Sequence, residues 1–301
     1  MKKVSAGIDI GGTNTVFGWV ESDGNFVWRG SVLTTDFSDP KELTKEVSKQ
    51  LLDNLGNNEA QGIGIGAPNG NFYNGTIEFA PNLEWEGVVH LKEFFQKYFD
   101  LPVIITNDAN AAAIGEMVYG GAKGVNNFMM ITLGTGLGSG IVSNGQLIYG
   151  HDAFAGELGH VIVETDGRSC GCGRNGCLET YASATGISRT AKELTGKDYT
   201  SEMVFKSAQN GEKWALQAFD YTAKILGLAL ANAVAVTSPK IIFLFGGLAQ
   251  SGDLIFKPTK NYMEQYLLKI FQNKVKIKPS SLNGVDAAIL GASALIWKEI
   301  N

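Results

Sequence analysis

The chain has 301 residues, of which 44% are hydrophobic and 18% charged, and its formal net charge is −5. Such a composition fits a globular protein of one large or two medium domains with an ample core, and nothing in its acidic balance predicts a nucleic-acid partner, which would want a basic stripe. No run approaches the roughly eighteen consecutive apolar residues of a membrane span, and the opening MKKVSAGIDIGG runs at once into a strand carrying Asp9, unlike a signal peptide. A cytoplasmic protein with no membrane partner is expected.

Taken in chain order, apolar β-branched runs end repeatedly in glycine-rich turns. VSAGIDIGGTNT (4–15) is the first, GIGIGAPNG (62–70) the second, and VIITNDANAAAIGEM (103–117), a strand leading into an Ala-rich helix, the third. FMMITLGTGLGSGIVSNGQLIYG (128–150) and IIFLFGGLA (241–249) follow. Helical patterns lie between them. KELTKEVSKQLLDNL comes after Asp39-Pro40, then LKEFFQKYF (91–99), a long apolar stretch over 212–236 stopped by Pro239, a helix within GLAQSGDLIFKPTKNYMEQYLLKIF, and a closing amphipathic AAILGASALIWKEI (287–300). The lysines from Lys257 to Lys278 read as a solvated helix and strand. Strands alternating with helices in this way predict an α/β fold.

Two segments look like copies. IDIGGTNTVFGWV and ITLGTGLGSGIV each read as strand, Gly-Thr turn and second apolar strand, so hairpins are expected at corresponding places in two related halves. Because the second member stays apolar and β-branched, neither the dinucleotide-binding nor the P-loop pattern of strand, loop and helix applies. The domain joint is expected near 108–120. A smaller α/β domain then takes 1–115 plus 287–301, since the Gly/Ala face of the last helix suits close packing there, and a larger one takes 116–286.

Four constellations carry chemistry. All three cysteines, Cys170, Cys172 and Cys177, follow His160 with the spacing H-x9-C-x-C-x4-C. Interleaved glycines let a tight knuckle present three thiolates and an imidazole to one tetrahedral Zn²⁺, and four protein ligands make such a site structural. Buried or reactive thiols are the alternative; a disulfide is the poorer one, given the odd count. Next, Asp9-Ile10-Gly11-Gly12-Thr13-Asn14-Thr15 follows a strand and can turn backbone N–H groups toward phosphate oxygens, with Asp9 placed to hold hydrated Mg²⁺. Thr135 and Gly136 repeat the device, and Gly246-Gly247 can let a nucleotide lie against the backbone. Third, Asn107-Asp108 ends a strand and opens a helix, where Asp108 is either a base for an attacking hydroxyl or the N-cap. Last, Glu157 and Glu179 bracket the cysteine loop as hydroxyl acceptors or plain surface charges.

These pieces in this order resemble the ROK family of bacterial sugar kinases and sugar-responsive repressors, over nearly the whole chain and most densely from Asn107 to Ser188. LGHVIVETDGRSCGCGRNGCLETYASATG looks like the family signature, and DIGGTNT, NDANAAAIGE, TLGTGLGSG and DAAILGASAL also match. The resemblance implies a two-domain actin/hexokinase-like (ribonuclease H-like) α/β ATPase fold with ATP and sugar in the interdomain cleft. It implies that Asp108 activates the sugar's 6-hydroxyl, and that Asn82, Asn107, Asp108, Glu157, His160 and Glu179 contact the sugar. His160 would then ligate zinc through one ring nitrogen and face the sugar with the other. GAPNG (66–70) stands where many members have a Pro-Gly turn, which leaves the part played by Asn69 open.

The activity expected from this resemblance is in-line transfer of the γ-phosphate of ATP to a hexose. A sugar-sensing repressor is the rival reading; such members carry an N-terminal helix-turn-helix, whereas here the first strand starts at about residue 4. An actin-like or chaperone ATPase would need neither the cysteine knuckle nor Asn107-Asp108. APNLEW (80–85) and the central block look closest to the family's glucokinases, so glucose is expected ahead of N-acetylhexosamines and fructose. Members of this group usually form dimers, so a homodimer is expected.

Overall fold

The computed structural model describes residues 1–282 and 286–300. The chain separates into two compact units, one of residues 1–125, 147–155 and 281–301 and another of 126–146 and 156–280. Residues 283–285 and Asn301, which the expected boundaries include, lie outside the described residues.

The first unit is built on a five-stranded sheet. Strands β1 (Lys3–Ile10), β2 (Asn14–Glu21) and β3 (Phe26–Leu33) form an antiparallel meander, and β4 (Glu59–Gly66) and β8 (Val103–Thr106) add in parallel on the other side, giving the order β3-β2-β1-β4-β8. Helix α1 (Pro40–Asp53) starts as Asp39-Pro40 foretells: the Asp39 side chain accepts from the Lys41 N–H, and Pro40 fills the first helical position. Short strands β5 (Gly70–Asn71), β6 (Thr76–Glu78) and β7 (Val88–Val89) make a small separate sheet before helix α2 (Leu91–Gln96). Helices α3 (Asp108–Val118) and α8 (Asp286–Ile300) complete the unit.

Helix α8 lies against the sheet backbone because glycines make room for it. A Cβ on Gly7 or Gly64 would collide with the carbonyl oxygens of Ile289 and Ala292 on α8, and one on Gly115 of α3 would come 2.8 Å from the Cα of Gly291. The small residues of DAAILGASAL thus permit close approach on two sides. This packing also moves the unit boundary out to Val125, beyond the expected 115. Helix α3 runs to Val118 against α8, and the buried Glu116 carboxylate accepts from the N–H groups of Gly121 (2.7 Å) and Ser281 (3.0 Å). One side chain thereby ties the segment after α3 to the chain's return at Ser281.

The second unit repeats the plan. Its sheet has the order β11-β10-β9-β12-β13, from β9 (Phe128–Leu133), β10 (Leu137–Ser143), β11 (Gln146–Leu147), β12 (Ile241–Phe245) and β13 (Lys276–Pro279). As in the first unit, the hairpin β9–β10 is antiparallel and the next strands join in parallel. Helices α4 (Ala184–Thr195), α5 (Ser201–Gln209), α6 (Lys213–Thr237) and α7 (Asp253–Tyr266) pack with it.

Helix α6 is the one described helix long and apolar enough to cross a membrane by length and composition, a feature that a search for uninterrupted apolar runs passes over. Its apolar residues are used in the unit's core, where Phe219, Leu226, Leu230 and Val234 are buried among Ile131, Leu133, Ile187 and Ile242. It ends at Ser238, which takes a left-handed conformation ahead of Pro239.

Candidate active site

In the first unit, the candidate residues gather at the C-terminal ends of three neighbouring strands. Asp9 on β1 pairs in register with Gly66 on β4, and Gly66 with Thr106 on β8. Asn107 and Asp108 follow at once. A Cβ on Gly66 would lie 3.4 Å from an Asp9 carboxylate oxygen and 3.7 Å from the Asp108 Cα, ordinary contact distances that place the two acids on either side of the middle strand. The Gly11–Thr13 turn joins β1 to β2 and is closed by the Gly11 N–H donating to the Asn14 carbonyl (2.9 Å), with Thr13 and Asn14 exposed. Gly12 lies so near the backbone carbonyl of Asn82 that a Cβ would overlap it. Asn82 is thereby set beside the glycine turn.

The structure shows which of the two residues caps α3. Asn107 is the N-cap of α3: it is extended, and its Oδ1 accepts from the Asn110 N–H at 2.7 Å. Asp108 is the first helical residue, and its carboxylate accepts from the Ala109 N–H at 2.8 Å. Its carboxylate therefore keeps free acceptor capacity, and its side chain is open to solvent. Protein packed densely behind it nonetheless raises the carboxyl above the usual range, with the Ala109 N–H opposing the shift. Burial, and then the charge of Asp108, raises the Asp9 carboxyl to about 7.

In the second unit, two short 3-10 turns carry the polar side chains. Leu158–His160 presents His160, with Glu157 just before it, and Leu178–Thr180 presents Glu179. The four potential ligand atoms of His160, Cys170, Cys172 and Cys177 lie within 4.8 Å of one another. His160 turns Nδ1 toward Cys170 (3.8 Å) and Nε2 toward the Glu157 carboxylate (3.9 Å), so one nitrogen faces the thiols and the other the acid. Glu179 has one oxygen 3.0 Å from the Cys170 sulfur and the other against Gly136, whose Cβ would sit 2.6 Å away. The Gly134–Gly136 turn is fixed from α4, where the Ala184 N–H donates to the Gly134 carbonyl and the Thr185 hydroxyl to that of Thr135, both at 2.8 Å. Gly246 takes a positive φ of 100° directly beside the Leu133 backbone and, with Gly247, leads into a 3-10 turn before α7. Thr135, Gly136, Gly246 and Gly247 thus share one end of this unit's central strands.

The family model for ROK proteins matches residues 5–299. The chain belongs to the ROK family. It is 36% identical to a glucokinase of Halalkalibacterium halodurans over 98% of this chain and 95% of that protein, and 33% identical to a glucokinase of Thermotoga maritima over 98% and 97%. Among solved structures it is similar to a ROK family glucokinase of Streptomyces griseus in complex with glucose and AMPPNP, with 29% identity, a TM-score of 0.82 and coverage of 97% of this chain and 98% of that one. The actin/hexokinase-like α/β fold expected from the motifs is the fold of this ROK chain.

The ROK cysteine loop has the dimensions of a tetrahedral zinc site. Bonds of about 2.3 Å to sulfur and 2.0–2.1 Å to nitrogen put S···S edges at about 3.8 Å and S···N edges at about 3.6 Å. The Cys172–Cys177 sulfurs are 3.6 Å apart and Cys170 is 3.8 Å from His160 Nδ1. Burial raises the Cys170 and Cys177 thiols. Burial also works upward on Cys172, but the Arg174 side chain and N–H outweigh it and lower that thiol to about 6. Arg174 further ties the loop to the first 3-10 turn by donating to the His160 carbonyl (2.9 Å).

Sequence reasoning missed Arg168, which does most to brace this loop. Its guanidinium donates to the carbonyls of Thr180 and Gly186, to the Thr190 hydroxyl and to both Glu193 oxygens at 2.6–3.1 Å, and it stacks 4.5 Å over the Tyr181 ring. One arginine thereby joins the start of the cysteine loop to the turn that carries Glu179 and to α4. No spacing rule marks such a residue; only its place two positions before Cys170 draws notice.

The raised Asp9 has a measurable consequence. Its folded-state carboxyl holds a proton up to about pH 7, against 3.8 in an unfolded chain. The stability linked to this group is therefore intact below about pH 4 and is lost as pH rises through about 7. Asp9→Asn removes the buried charge, so without nucleotide or Mg²⁺ the variant should be more stable than wild type at pH 8, by about 1–3 kcal/mol, and equal to it at pH 4. Urea unfolding at the two pH values measures this; an equal or lower stability of the variant at pH 8 contradicts the assignment.

Proposed function

We propose that this ROK protein is a cytoplasmic, ATP-dependent kinase that phosphorylates the 6-hydroxyl of glucose. The observation that carries the reading is the freed carboxylate of Asp108: Asn107 does the capping, so the acid at the strand end keeps its acceptor capacity. Glucose as the hexose draws support from the glucokinase relatives at 33–36% identity and from the glucose and AMPPNP held by the Streptomyces griseus protein. The cytoplasm suits a chain with three free cysteines and ATP as donor.

In this reading the side chains divide the work. Asp108 accepts the proton of the 6-hydroxyl as its oxygen bonds to the γ-phosphorus; the bond from that phosphorus to the β,γ-bridging oxygen breaks, and ADP leaves. The pressure that raises the Asp108 carboxyl makes it a better proton acceptor than an ordinary surface aspartate. Asn82, Asn107, Glu157, His160 and Glu179 accept from or donate to the sugar hydroxyls. Backbone N–H groups of the Gly11–Thr13 and Gly134–Gly136 turns, the Thr13, Asn14 and Thr135 side chains, and the bare backbone at Gly246-Gly247 receive the nucleotide. Asp9 would hold Mg²⁺, which would supply charge neutralisation at the phosphates. His160, Cys170, Cys172 and Cys177 would hold Zn²⁺, which would supply rigidity to the His160 ring and to the turn that carries Glu179.

Two outcomes are expected. Asp108→Ala should lower kcat by roughly 10²–10⁴-fold while the glucose dissociation constant, from calorimetry, changes by less than about fivefold; a kcat near wild type contradicts the base assignment. Elemental analysis of the purified protein should give about one zinc per chain, and Cys172→Ser should lose most of it together with thermal stability. Wild-type protein free of zinc, yet fully active, would remove the metal from the account.

A further inference from the structure

Asn69 occupies a strained turn and uses its side chain there. Ala67-Pro68-Asn69-Gly70 is closed by the Gly70 N–H donating to the Ala67 carbonyl (3.0 Å), and Asn69 has a φ of 51°. With proline second and a left-handed residue third, this is a type II turn, whose third position favours glycine and tolerates asparagine. The turn sits on the end of β8: the Ala67 N–H donates to the Thr106 carbonyl at 3.0 Å, and a Cβ on Gly70 would collide with that same carbonyl. It thus touches the residue that precedes Asn107 and Asp108.

A glycine would satisfy the turn, but only asparagine adds an amide. The Asn69 Nδ2 donates to the carbonyls of Glu78 (2.9 Å) and Phe79 (3.2 Å). Both partners are acceptors, which fixes the orientation of the amide. The backbone joins in, with the Glu78 N–H donating to the Asn69 carbonyl at 3.2 Å. Phe79 needs such support: it holds a φ of 50° with its ring 71% exposed, so side-chain burial contributes little to fixing its conformation. Its own N–H donates to the Gly87 carbonyl at 2.8 Å. The Ala80-Pro81-Asn82 segment starts at this residue and ends against Gly12.

We infer that Asn69 is a positioning residue for the sugar loop: its amide clamps the Glu78 and Phe79 carbonyls, holds Phe79 left-handed and so places Asn82, in register with the strand end that bears Asp108. Asn69 itself does not contact the sugar. The inference rests on the reading of Asn82 as a hexose ligand.

Three variants separate the clamp from the turn. Asn69→Gly keeps the positive φ and loses the amide. Asn69→Asp also tolerates the turn but faces a carboxylate to two carbonyls. Asn69→Ala loses the amide and strains the turn as well, so the first two carry the test if it folds poorly. In ligand-free protein, hydrogen exchange across residues 76–83 should speed up in Asn69→Gly, and more in Asn69→Asp. The KM for glucose should rise roughly tenfold in Asn69→Gly and further in Asn69→Asp, while the KM for ATP stays within about twofold of wild type. Unchanged exchange in both variants overturns the clamp. Faster exchange with an unchanged glucose KM overturns its role in placing Asn82. A raised glucose KM with unchanged exchange identifies Asn69 as a direct sugar contact and overturns the proposal too. Should wild-type protein phosphorylate no glucose, the functional reading fails at that step, and the exchange measurement on ligand-free protein still decides whether the clamp exists.

Discussion

The first unit depends on three parallel strand ends meeting with two carboxylates among them. Asp9 and Asp108 lie on either side of Gly66 on the middle strand. Holding two acids in a partly dry place costs stability: burial raises both carboxyls, and the charge of Asp108 adds to the shift of Asp9. A fold keeps such an arrangement only if the rest of the scaffold over-determines it. Here the scaffold does so through α8, seated on the bare backbone of Gly7 and Gly64, and through α3, seated on α8. Two carboxyls raised by burial mark this strand end as the candidate site of the first unit.

The second unit solves a different problem, that of holding loops still. Between Gly156 and Ser183 the chain has only 3-10 turns and isolated bridges, such as Ile162 with Cys177 and Ser169 with Asn175. Apolar burial alone does not order so irregular a segment. Three devices stand in: the four-residue donor set around His160, the Arg168 fan onto Thr180, Gly186, Thr190 and Glu193, and the Arg174 bond to the His160 carbonyl. The arginine bonds tie the turns that carry His160 and Glu179 to the cysteine loop and to α4.

Much of this was legible in the sequence because it lies in local patterns. The repeated strand, Gly-Thr turn and strand gave the matching hairpins, and the cysteine spacing gave the ligand cluster. What stayed hidden is non-local. Asn107 and Asp108 are both good caps, and only the observed hydrogen bonds divide the roles, giving the cap to Asn107. Glu116 bonds to Ser281, 165 residues away, a link no local pattern marks. The return of residues 147–155 to the first unit has no composition signal at all. Arg168 reads as one more surface charge until its partners are seen. Asn69 looked like a departure from a Pro-Gly turn, and it is a turn residue with a second use.

The central claim is that these parts carry out phosphoryl transfer from ATP to the 6-hydroxyl of glucose. Phosphorus-31 NMR of the purified protein with glucose, ATP and Mg²⁺ tests it most directly. The account predicts one glucose 6-phosphate formed for each ADP, with negligible inorganic phosphate and no ATP consumed when glucose is left out. Inorganic phosphate as the main product, or a phosphate on another sugar oxygen, would contradict it.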